Sequence, residues 1–426
     1  MKTIRDFKKA KEVLSRRGPL PDMLETDDRE QSVRQIIDEV GRRGDTALLE
    51  YTQQFDGVKL SSLEVSREDI NTARKKIDTG LLSALELAAE RIQAYHQVQK
   101  ENLFKESAEE GVGWLVKPLE RVGVHTPGFS APLPSSLLMT AIPAKVAGVK
   151  EVIVTAPPGK DGVVSQVTLA AAGIAGIDRI FSVGGAQAVA AMAYGTQTIP
   201  AVDKVCGPGN IFVLLAKKLL YGTVGIDGLY GPSEVLIIAD DTANPAYCAA
   251  DLLAQAEHSL ASAIMVTTSP ALAEKVIGEV EKQLKELSRP VLAKESLEER
   301  GLIVVVESIT QAVELANLYA PEHLLLMMKG ADSYIESIKN AGCIVTGEKA
   351  TVVLGDYVAG PSHTLPTGGT ARFSSPLNVS DFIKLTSVID VDKVGIEKIG
   401  KAAQVIAEAE GLEAHARAVG KRLNTG

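Results

Sequence analysis

Cysteine is scarce in this 426-residue sequence, which contains only Cys206, Cys248 and Cys343. The number is odd, the positions are far apart, and no two of them form a C-x-x-C motif. A disulfide framework and a thiolate zinc site are therefore both excluded. This usage is typical of a reducing cytosol, and we expect a cytoplasmic location.

Basic charge is too sparse for a nucleic-acid surface. The chain has 45 lysine and arginine residues against 54 aspartate and glutamate residues, a formal net charge of −9. Binding to a phosphate backbone needs clustered cationic side chains that displace counterions. Aromatic residues make up only 4% of the chain and hydrophobic residues 45%. The composition therefore predicts a folded protein with an aliphatic core and no nucleic-acid partner.

Long apolar runs suited to a membrane are also lacking. Residues 180–202 carry no charge and would be long enough to span a bilayer, but glycine, glutamine, threonine and proline interrupt them. They are better explained as a buried strand followed by a buried helix. The basic N-terminal stretch has no apolar segment and no small-residue cleavage site, so we predict neither a signal peptide nor a membrane partner.

Alternating β-rich and helical runs dominate the chain from about residue 119. Runs of these lengths predict right-handed crossovers and parallel sheets covered by helices on both faces. We predict the α/β class, with two doubly wound, incomplete Rossmann-like units between a helical N-terminal part and a helical tail. The expected boundaries are 1–118 for the N-terminal part, packing with 237–380; 119–236 and 237–380 for the two units; and 381–426 for the tail.

The tail is expected to be one long amphipathic helical pattern, with Ile396, Ile399, Val405 and Ile406 on its apolar side. One or two helices of this size cannot bury a core by themselves. The tail must therefore dock on its own chain or on a partner.

Histidine is limited to six residues, so the position of each is informative. His96 lies in a polar helical run, and we expect it on the solvated surface. Gln255 and His258 are three residues apart at the end of a predicted helix and therefore share a face. Glu322 and His323 stand together where a helix gives way to an apolar strand, and such a pair can exchange protons at neutral pH.

The remaining histidines lie in a loop and in the tail. Asp356 and His363 belong to a glycine- and proline-rich segment, a kind of loop in which sites are often built. Glu410 and His415 lie on the tail. Taken singly, these groups fit a helix cap or a solvated surface as well as they fit a site.

Glycine-rich turns stand at residues 184–187, 207–210 and 231–233, the first two directly after predicted strands. Glycine allows the backbone to approach a ligand, and a helix N-terminus favours phosphate. The turns do not form a G-x-G-x-x-G motif, and no acidic residue follows at the spacing of the dinucleotide fingerprint. By themselves they are a weak signal for a nucleotide.

Taken together and in this order, the motifs resemble those of the histidinol dehydrogenase family along the whole chain. Any one of them is a weak signal, but their fixed order is highly specific. The matching segments are 121–123, 131–135, 183–188, 207–210, 231–234, 255–258, 321–324, 355–363 and 365–367.

The resemblance implies a zinc-dependent, NAD-linked oxidation of L-histidinol to L-histidine through L-histidinaldehyde, the last step of histidine biosynthesis, using two NAD. It also implies one zinc ion per site and a homodimer with exchanged C-terminal tails. By matching position, the resemblance implies that the zinc ligands are Gln255, His258, Asp356 and His415, and that the acid/base pair is Glu322 and His323. It implies substrate contacts from Ser233, His363 and Glu410, in addition to His323 and the zinc ligands. It implies dinucleotide contacts from His125, Gln187 and Asn210.

The sequence departs from the family pattern mainly around the cofactor. His125 stands where tyrosine is usual, and Phe129 stands where glycine is usual. Tyr230 is also unusual, and the stretch after His258 is one residue short. The expected zinc and acid/base positions show no departure.

Two other functions stay open at this point. The chain could be a zinc dehydrogenase of the same superfamily that acts on another polar alcohol, such as a sulfonated diol, although His363 and Glu410 favour histidinol. It could also be a non-catalytic metal-binding or regulatory paralogue, against which the intact pair Glu322 and His323 argues.

Overall fold

The computed structural model describes residues 1–16, 27–104, 107–109, 111–128, 132–177 and 179–423. Phe129 lies outside these residues. Two parallel sheets with helices on both faces form the centre of the molecule. The predicted α/β class with two doubly wound units is confirmed.

The first parallel sheet has five strands in the order β6-β5-β4-β7-β8. This order reverses between β4 and β7, as in dinucleotide-binding folds. The helices that follow these strands are α6 (Pro134–Ala147), α7 (Gln166–Ile174), α8 (Gly185–Tyr194) and α9 (Ile211–Leu220). The strands are β4 (Arg121–His125), β5 (Glu151–Ala156), β6 (Arg179–Ser182), β7 (Lys204–Cys206) and β8 (Gly225–Ile226).

The second parallel sheet repeats this topology with one added edge strand, in the order β1-β11-β10-β9-β12-β13. Its strands are β1 (Lys2–Ile4), β9 (Glu234–Ala239), β10 (Ser262–Thr267), β11 (Gly301–Val305), β12 (His323–Met327) and β13 (Cys343–Thr346). Its helices are α1 (Phe7–Leu14), α10 (Pro245–Ala256), α11 (Pro270–Leu284), α12 (Pro290–Arg300), α13 (Ile309–Tyr319) and α14 (Val352–Tyr357).

Aliphatic side chains form a core on each face of both sheets. Val122 and Val124 of β4 pack on one face of the first sheet, and Ile153 and Val205 pack on the other. The central strands of the second sheet, β9 to β12, are likewise buried on both faces. Continuous burial explains why these strands are nearly unbroken aliphatic runs in the sequence.

The N-terminal helices pack differently from the expectation. Among the described N-terminal elements, β1 and α1 pack on the second sheet itself. The four helices that follow pack on the first unit, because their apolar stripes cover both faces of the five-stranded sheet. These helices are α2 (Asp27–Arg43), α3 (Asp45–Asp56), α4 (Arg67–Ala73) and α5 (Thr79–Leu103).

His96 is buried, so its predicted place on the solvated surface is wrong. It lies one turn after Ile92 on the buried stripe of α5, and its Nδ1 is 2.8 Å from the Ile92 carbonyl oxygen. The polar neighbours Tyr95 and Gln97 face other directions. The helix is therefore more deeply packed than its sequence suggested.

The tail begins with a strand, which corrects the expectation of an all-helical segment from residue 381. A short 3₁₀-helix, Val379–Phe382, leads into β14 (Ile383–Ile389), which pairs antiparallel with β3 (Val112–Pro118) in a three-stranded sheet completed by β2 (Ser107–Glu109). Two helices follow in place of one long helix, α15 (Lys393–Ala409) and α16 (Glu413–Leu423). Gly411, with φ +73°, breaks the helical pattern between them.

None of the helices in the described ranges is both long and apolar enough to cross a membrane.

Candidate active site

Two glycine turns form the carboxyl edge of the first sheet. Gly184 and Gly185 follow β6 and lead into α8, while residues 207–209 follow β7 and lead into α9. Gly185 (φ +70°) and Gly207 (φ +108°) have left-handed conformations that favour glycine. The Asn210 side chain caps α9 by accepting hydrogen bonds from two backbone N–H groups. Each turn thus presents the N-terminus of a helix, which favours anions.

A cleft of about 710 Å³ lies against these turns. Gln187, which is buried, and Asn210, which is exposed, both line it. Residues of α2 and α3 also line it, and the rings of Tyr51 and Phe55 on α3 stack with centroids 5.4 Å apart. Helix N-termini and stacked aromatic rings around one cleft suit a ligand with phosphate and aromatic parts.

Asp56 also lines the cleft, at the end of α3. Its Oδ2 is buried and has no hydrogen-bond partner among the residues that the structure describes. Burial raises the pKa of this carboxyl group to about 6. A buried acceptor without a partner is a free position for a donor from a ligand.

His125 lies beneath the turns at the end of β4, with 3% of its surface exposed. Its Nδ1 is 2.9 Å from the Pro208 carbonyl oxygen, and its Nε2 accepts a hydrogen bond from the Gly185 N–H at 3.3 Å. Burial, together with the nearby Lys217, lowers the pKa of His125 to about 4. The ring is therefore neutral at physiological pH.

The acid and imidazole side chains gather at the amino edge of the second sheet. Glu322 and His323 stand at the start of β12, with 7% and 5% of their surfaces exposed. The neighbouring strand β9 holds both through the main chain of Glu234. Its N–H donates to Glu322 Oε2 at 2.7 Å, and its carbonyl oxygen lies 3.3 Å from His323 Nδ1.

Burial raises the pKa of Glu322 to about 8, although the His323 charge and the Glu234 N–H oppose the shift. Burial alone would lower the pKa of His323, but its contact with Asp356 and the Glu322 charge outweigh burial and raise it. His323 Nε2 lies 3.4 Å from Asp356 Oδ1. Two neighbouring groups with pKa values moved towards neutrality are suited to proton transfer.

The other predicted residues of the second unit surround this pair. Asp356 lies in the last turn of α14, which reaches further into the predicted loop than expected, and its pKa is lowered, despite burial, by the charges of His323, His363 and His258. Gln255 is buried in the last turn of α10, and His258 follows that helix on the surface.

Two further predicted residues stand at the rim of this group. His363 is half-buried, and its Nε2 lies 3.1 Å from the Ser136 hydroxyl at the start of α6, which joins the two units. Ser233 stands just before β9, where its carbonyl oxygen accepts a hydrogen bond from the Ser262 N–H.

The backbone around the site is strained at two points. Leu260 (φ +59°) and Ala320 (φ +53°) are the two non-glycine residues with positive φ among the described residues. Leu260 lies in the short stretch after His258, and Ala320 ends α13 just before Pro321 and Glu322. Such conformations often mark functional sites.

The predicted zinc ligands of one chain fit the ion in chemistry but are incomplete. Gln255, His258 and Asp356 supply an amide oxygen, an imidazole and a carboxylate, which are oxygen and nitrogen donors that zinc accepts. No group of three or more histidine, cysteine, aspartate or glutamate side chains that could hold a metal ion occurs among the described residues. Of the predicted zinc ligands, a single chain supplies one imidazole, one carboxylate and one amide to its own site.

His415 and Glu410 are not brought to the site of their own chain. Both are exposed on the tail, whose helices α15 and α16 pack mainly against each other. In the described parts of the chain, no side-chain hydrogen bond or ion pair joins either residue to the predicted site residues. The apolar side chains of Val394, Val405 and Ile406 on α15 are mostly exposed.

Several residues that hold the site in place were not predicted from the sequence. Asp251, one turn before Gln255, bonds the Thr351 hydroxyl that caps α14, and so links the helices of Gln255 and Asp356. The side chain of Glu234 pairs with Arg16. The position of Asp251 on the face of Gln255 was the available signal, whereas Arg16 is 218 residues from its partner.

Two doubly wound units, a cleft formed by glycine turns and a buried acid/base pair define an α/β enzyme of the dehydrogenase class. Comparison with known proteins agrees. The sequence pattern of the family described as histidinol dehydrogenase matches residues 22–423. The chain therefore belongs to the histidinol dehydrogenase family, and the predicted oxidoreductase class is confirmed.

Individual relatives cover nearly the whole chain. The histidinol dehydrogenase of Dehalococcoides mccartyi (strain CBDB1) is 54% identical, over 99% of this chain and 100% of the relative. That of Aquifex aeolicus (strain VF5) is 50% identical, over 97% and 96%. The crystal structure of histidinol dehydrogenase from Elizabethkingia anophelis is 37% identical, with a TM-score of 0.93 over 100% of this chain and 98% of that chain.

Proposed function

We propose that the protein oxidises L-histidinol to L-histidine through L-histidinaldehyde, with two NAD, as the last step of histidine biosynthesis. The observation that carries the proposal is the buried pair Glu322 and His323, held by β9 and flanked by Asp356. Membership of the histidinol dehydrogenase family supports the substrate. The three free cysteines support a cytoplasmic location.

His323 is the base for the alcohol proton. Its Nδ1 faces the Glu234 carbonyl oxygen, which can only accept, so Nδ1 carries the hydrogen. In the neutral ring Nε2 then keeps its lone pair and can take the hydroxyl proton. The carboxylate of Asp356, 3.4 Å from Nε2, stabilises the imidazolium that results.

Glu322 is the base for the second oxidation, in which the aldehyde must first add water. A carboxylate with a pKa near 8 is a far stronger base than one in water. The N–H of Glu234 donates to Oε2 and fixes the direction of the carboxylate. Burial of the pair limits water to the molecule that reacts.

Gln255, His258 and Asp356, with His415 of a second subunit, would hold the zinc ion, and Ser233, His363 and Glu410 would contact the substrate. Bound zinc supplies a redox-silent Lewis acid that anchors the imidazole and amine of histidinol. Asp356 would then face both the metal site and His323, which couples substrate position to the base.

The cleft of the first unit would hold NAD, with Gln187 and Asn210 at its wall. The dinucleotide supplies the hydride acceptor when bound. The N-termini of α8 and α9 would hold its phosphates, and Tyr51 and Phe55 offer an aromatic surface for a base.

A homodimer with exchanged tails would complete each site, because Glu410 and His415 are exposed on their own chain and the apolar side of α15 is uncovered. The test is a mixed dimer of His415→Asn and Glu322→Gln chains. With exchanged tails, one of its two sites keeps both residues and stays active. Without exchange, every site lacks one of them, and activity stays at the level of the parent variants.

The central experiment measures NADH formation with L-histidinol and with other polar alcohols, including a sulfonated diol. We expect two NADH per histidinol and one zinc per chain. Activity confined to another alcohol would favour the related dehydrogenase, and no NADH from any alcohol would favour a non-catalytic paralogue.

A matched pair of histidine variants tests the metal site. His258→Asn should lose both zinc and activity. His96→Asn should keep both, because the described hydrogen bonds of the buried His96 go to Ile92 and Leu377 and to none of the predicted zinc ligands. Equal metal content of the two variants would contradict the assignment of His258.

A further inference from the structure

The two glycine turns of the cofactor cleft are joined by one side chain. The imidazole of His125 contacts the Pro208 carbonyl oxygen on one side and the Gly185 N–H on the other. These partners are 83 and 60 residues away in the sequence. They belong to the turns after β7 and β6, on either side of β4, so the ring spans the edge of the sheet.

The two contacts fix which nitrogen carries the hydrogen. A carbonyl oxygen can only accept, so Nδ1 must be protonated, and an N–H can only donate, so Nε2 must be unprotonated. Both bonds therefore need the neutral ring with hydrogen on Nδ1. The low pKa of His125, caused by burial and the nearby Lys217, keeps the ring in this form at neutral pH.

The turn after β7 is also anchored from inside the fold. The Gly207 N–H donates to Asp227 Oδ2 at 2.7 Å, and its carbonyl oxygen accepts from Lys217. Lys217 and Asp227 form a buried ion pair. This turn is therefore rigid, and the contact from Pro208 through His125 to Gly185 extends that rigidity to the turn that begins α8.

We propose that His125 is a positioning residue: it sets the distance between the two turns through their backbone, without itself contacting the dinucleotide. This inference rests on the proposed function of the cleft. Gln187 and Asn210 line the cleft, whereas His125 is almost fully covered and has both ring nitrogens engaged. A tyrosine at this position has a single hydroxyl in place of the two ring nitrogens.

The test compares His125→Ala with two variants that each keep half of the bridge. Asparagine places an amide N–H near the position of Nδ1 and can donate to Pro208. Glutamine places an amide oxygen near the position of Nε2 and can accept from Gly185. We expect His125→Ala to raise the Kd and KM for NAD about tenfold or more, with each half-bridge variant between it and the unchanged protein.

Measurements of kcat and KM distinguish a positioning role of His125 from a general loss of structure. At saturating NAD, kcat and the KM for histidinol should stay within about threefold of the unchanged protein, because the acid/base pair lies on the other sheet. His96→Asn is the control, since it also alters a buried histidine but one far from the turns. It should lower the melting temperature without changing the Kd for NAD.

Calorimetric titration with NAD alone distinguishes the two proposals. If the unchanged protein binds no NAD, the proposed function of the cleft is wrong. If it binds NAD, and His125→Ala binds equally well or loses kcat with an unchanged KM for NAD, the bridge is wrong. Recovery by neither half-bridge variant would also contradict it.

Discussion

The two parallel sheets share one strand order but present opposite edges to the site. The first sheet offers its carboxyl edge, where glycine turns lead into helix N-termini and the buried imidazole of His125 is neutral. The second sheet offers its amino edge, where Glu322 and His323 start β12 beside Glu234 of β9. In the proposed function, the first edge binds the cofactor through its backbone, and the second edge carries out the reaction with ionisable side chains.

Helix direction explains this division. At the carboxyl edge of a parallel sheet the helices begin, and their N-termini attract the phosphates of a dinucleotide. At the amino edge the helices end, and their C-termini attract cations. Gln255 and His258 stand at the C-terminus of α10. In the proposed function, the same topology used from opposite edges would therefore provide an anion site and a cation site.

The largest expected effect is at the second edge. Glu322→Gln should lower the rate of histidine formation about 10²- to 10⁴-fold, because the carboxylate that activates water is lost. The amide oxygen can still accept from the Glu234 N–H, so the fold should be kept. The Kd for NAD should not change. A comparable loss of NAD affinity would show that the two edges are not separate in function.

A single added methyl group should disrupt the first edge without touching the second. A Cβ at Gly207 would collide with the carbonyl oxygen of His125, and its φ of +108° also disfavours alanine. We expect Gly207→Ala to lower the free energy of unfolding by about 3 kcal/mol or more and to weaken NAD binding.

Gly222→Ala is the matched control, since Gly222 has a φ of +103° but no atom within 4 Å of the added Cβ. It should cost only about 1–2 kcal/mol in urea unfolding and leave NAD binding unchanged. Equal costs for the two variants would mean that backbone strain alone, and not contact with β4, fixes the turn.

The fold could be predicted where burial is complete. Strands such as β9 and β12 are covered on both faces, and their aliphatic runs show this in the sequence. The three-residue β1 could not be found because it is short, and the three-stranded antiparallel sheet could not be found because its strands are largely exposed. The break at Gly411 was missed because the apolar spacing continues across it.

The residues of the candidate site could be predicted from the sequence, but the hydrogen bonds that hold them in place could not. Motif order indicated Glu322 and His323, and local spacing related Gln255 to His258. The bonds of Glu234, Asp251 and His125 join segments that are distant in sequence, and no local pattern reports them. The burial of His96 was hidden for the same reason, since its covering elements lie elsewhere in the chain.

The second edge is also held by a side-chain link between two helices. Thr351→Val leaves the buried carboxylate of Asp251 without the hydroxyl that it bonds, so α14 can shift relative to α10. We expect zinc affinity to fall about tenfold and the free energy of unfolding to fall by about 1–3 kcal/mol. Thr351→Ser keeps the hydroxyl and should retain zinc against a chelator. Loss of zinc from both variants would exclude the hydroxyl as the cause.

The smallest expected effect concerns Asp56, an ionisable group in the cleft of the first edge. Its pKa is near 6 in the folded protein and near 4 in the unfolded chain. The folded state therefore holds the proton more tightly, and stability falls as pH rises from about 4 to 6. Asp56→Asn removes this penalty.

Above pH 6, Asp56→Asn should therefore be more stable than the unchanged protein by about 1 kcal/mol, a value reduced by solvent screening of a half-buried group. At pH 4 the two should unfold at the same urea concentration. Asp38→Asn, on the exposed side of α2, is the control and should show no such difference between the two pH values. A variant less stable at pH 8 would mean that the carboxylate has a cationic partner there, and the first edge would then use side-chain charge as the second does.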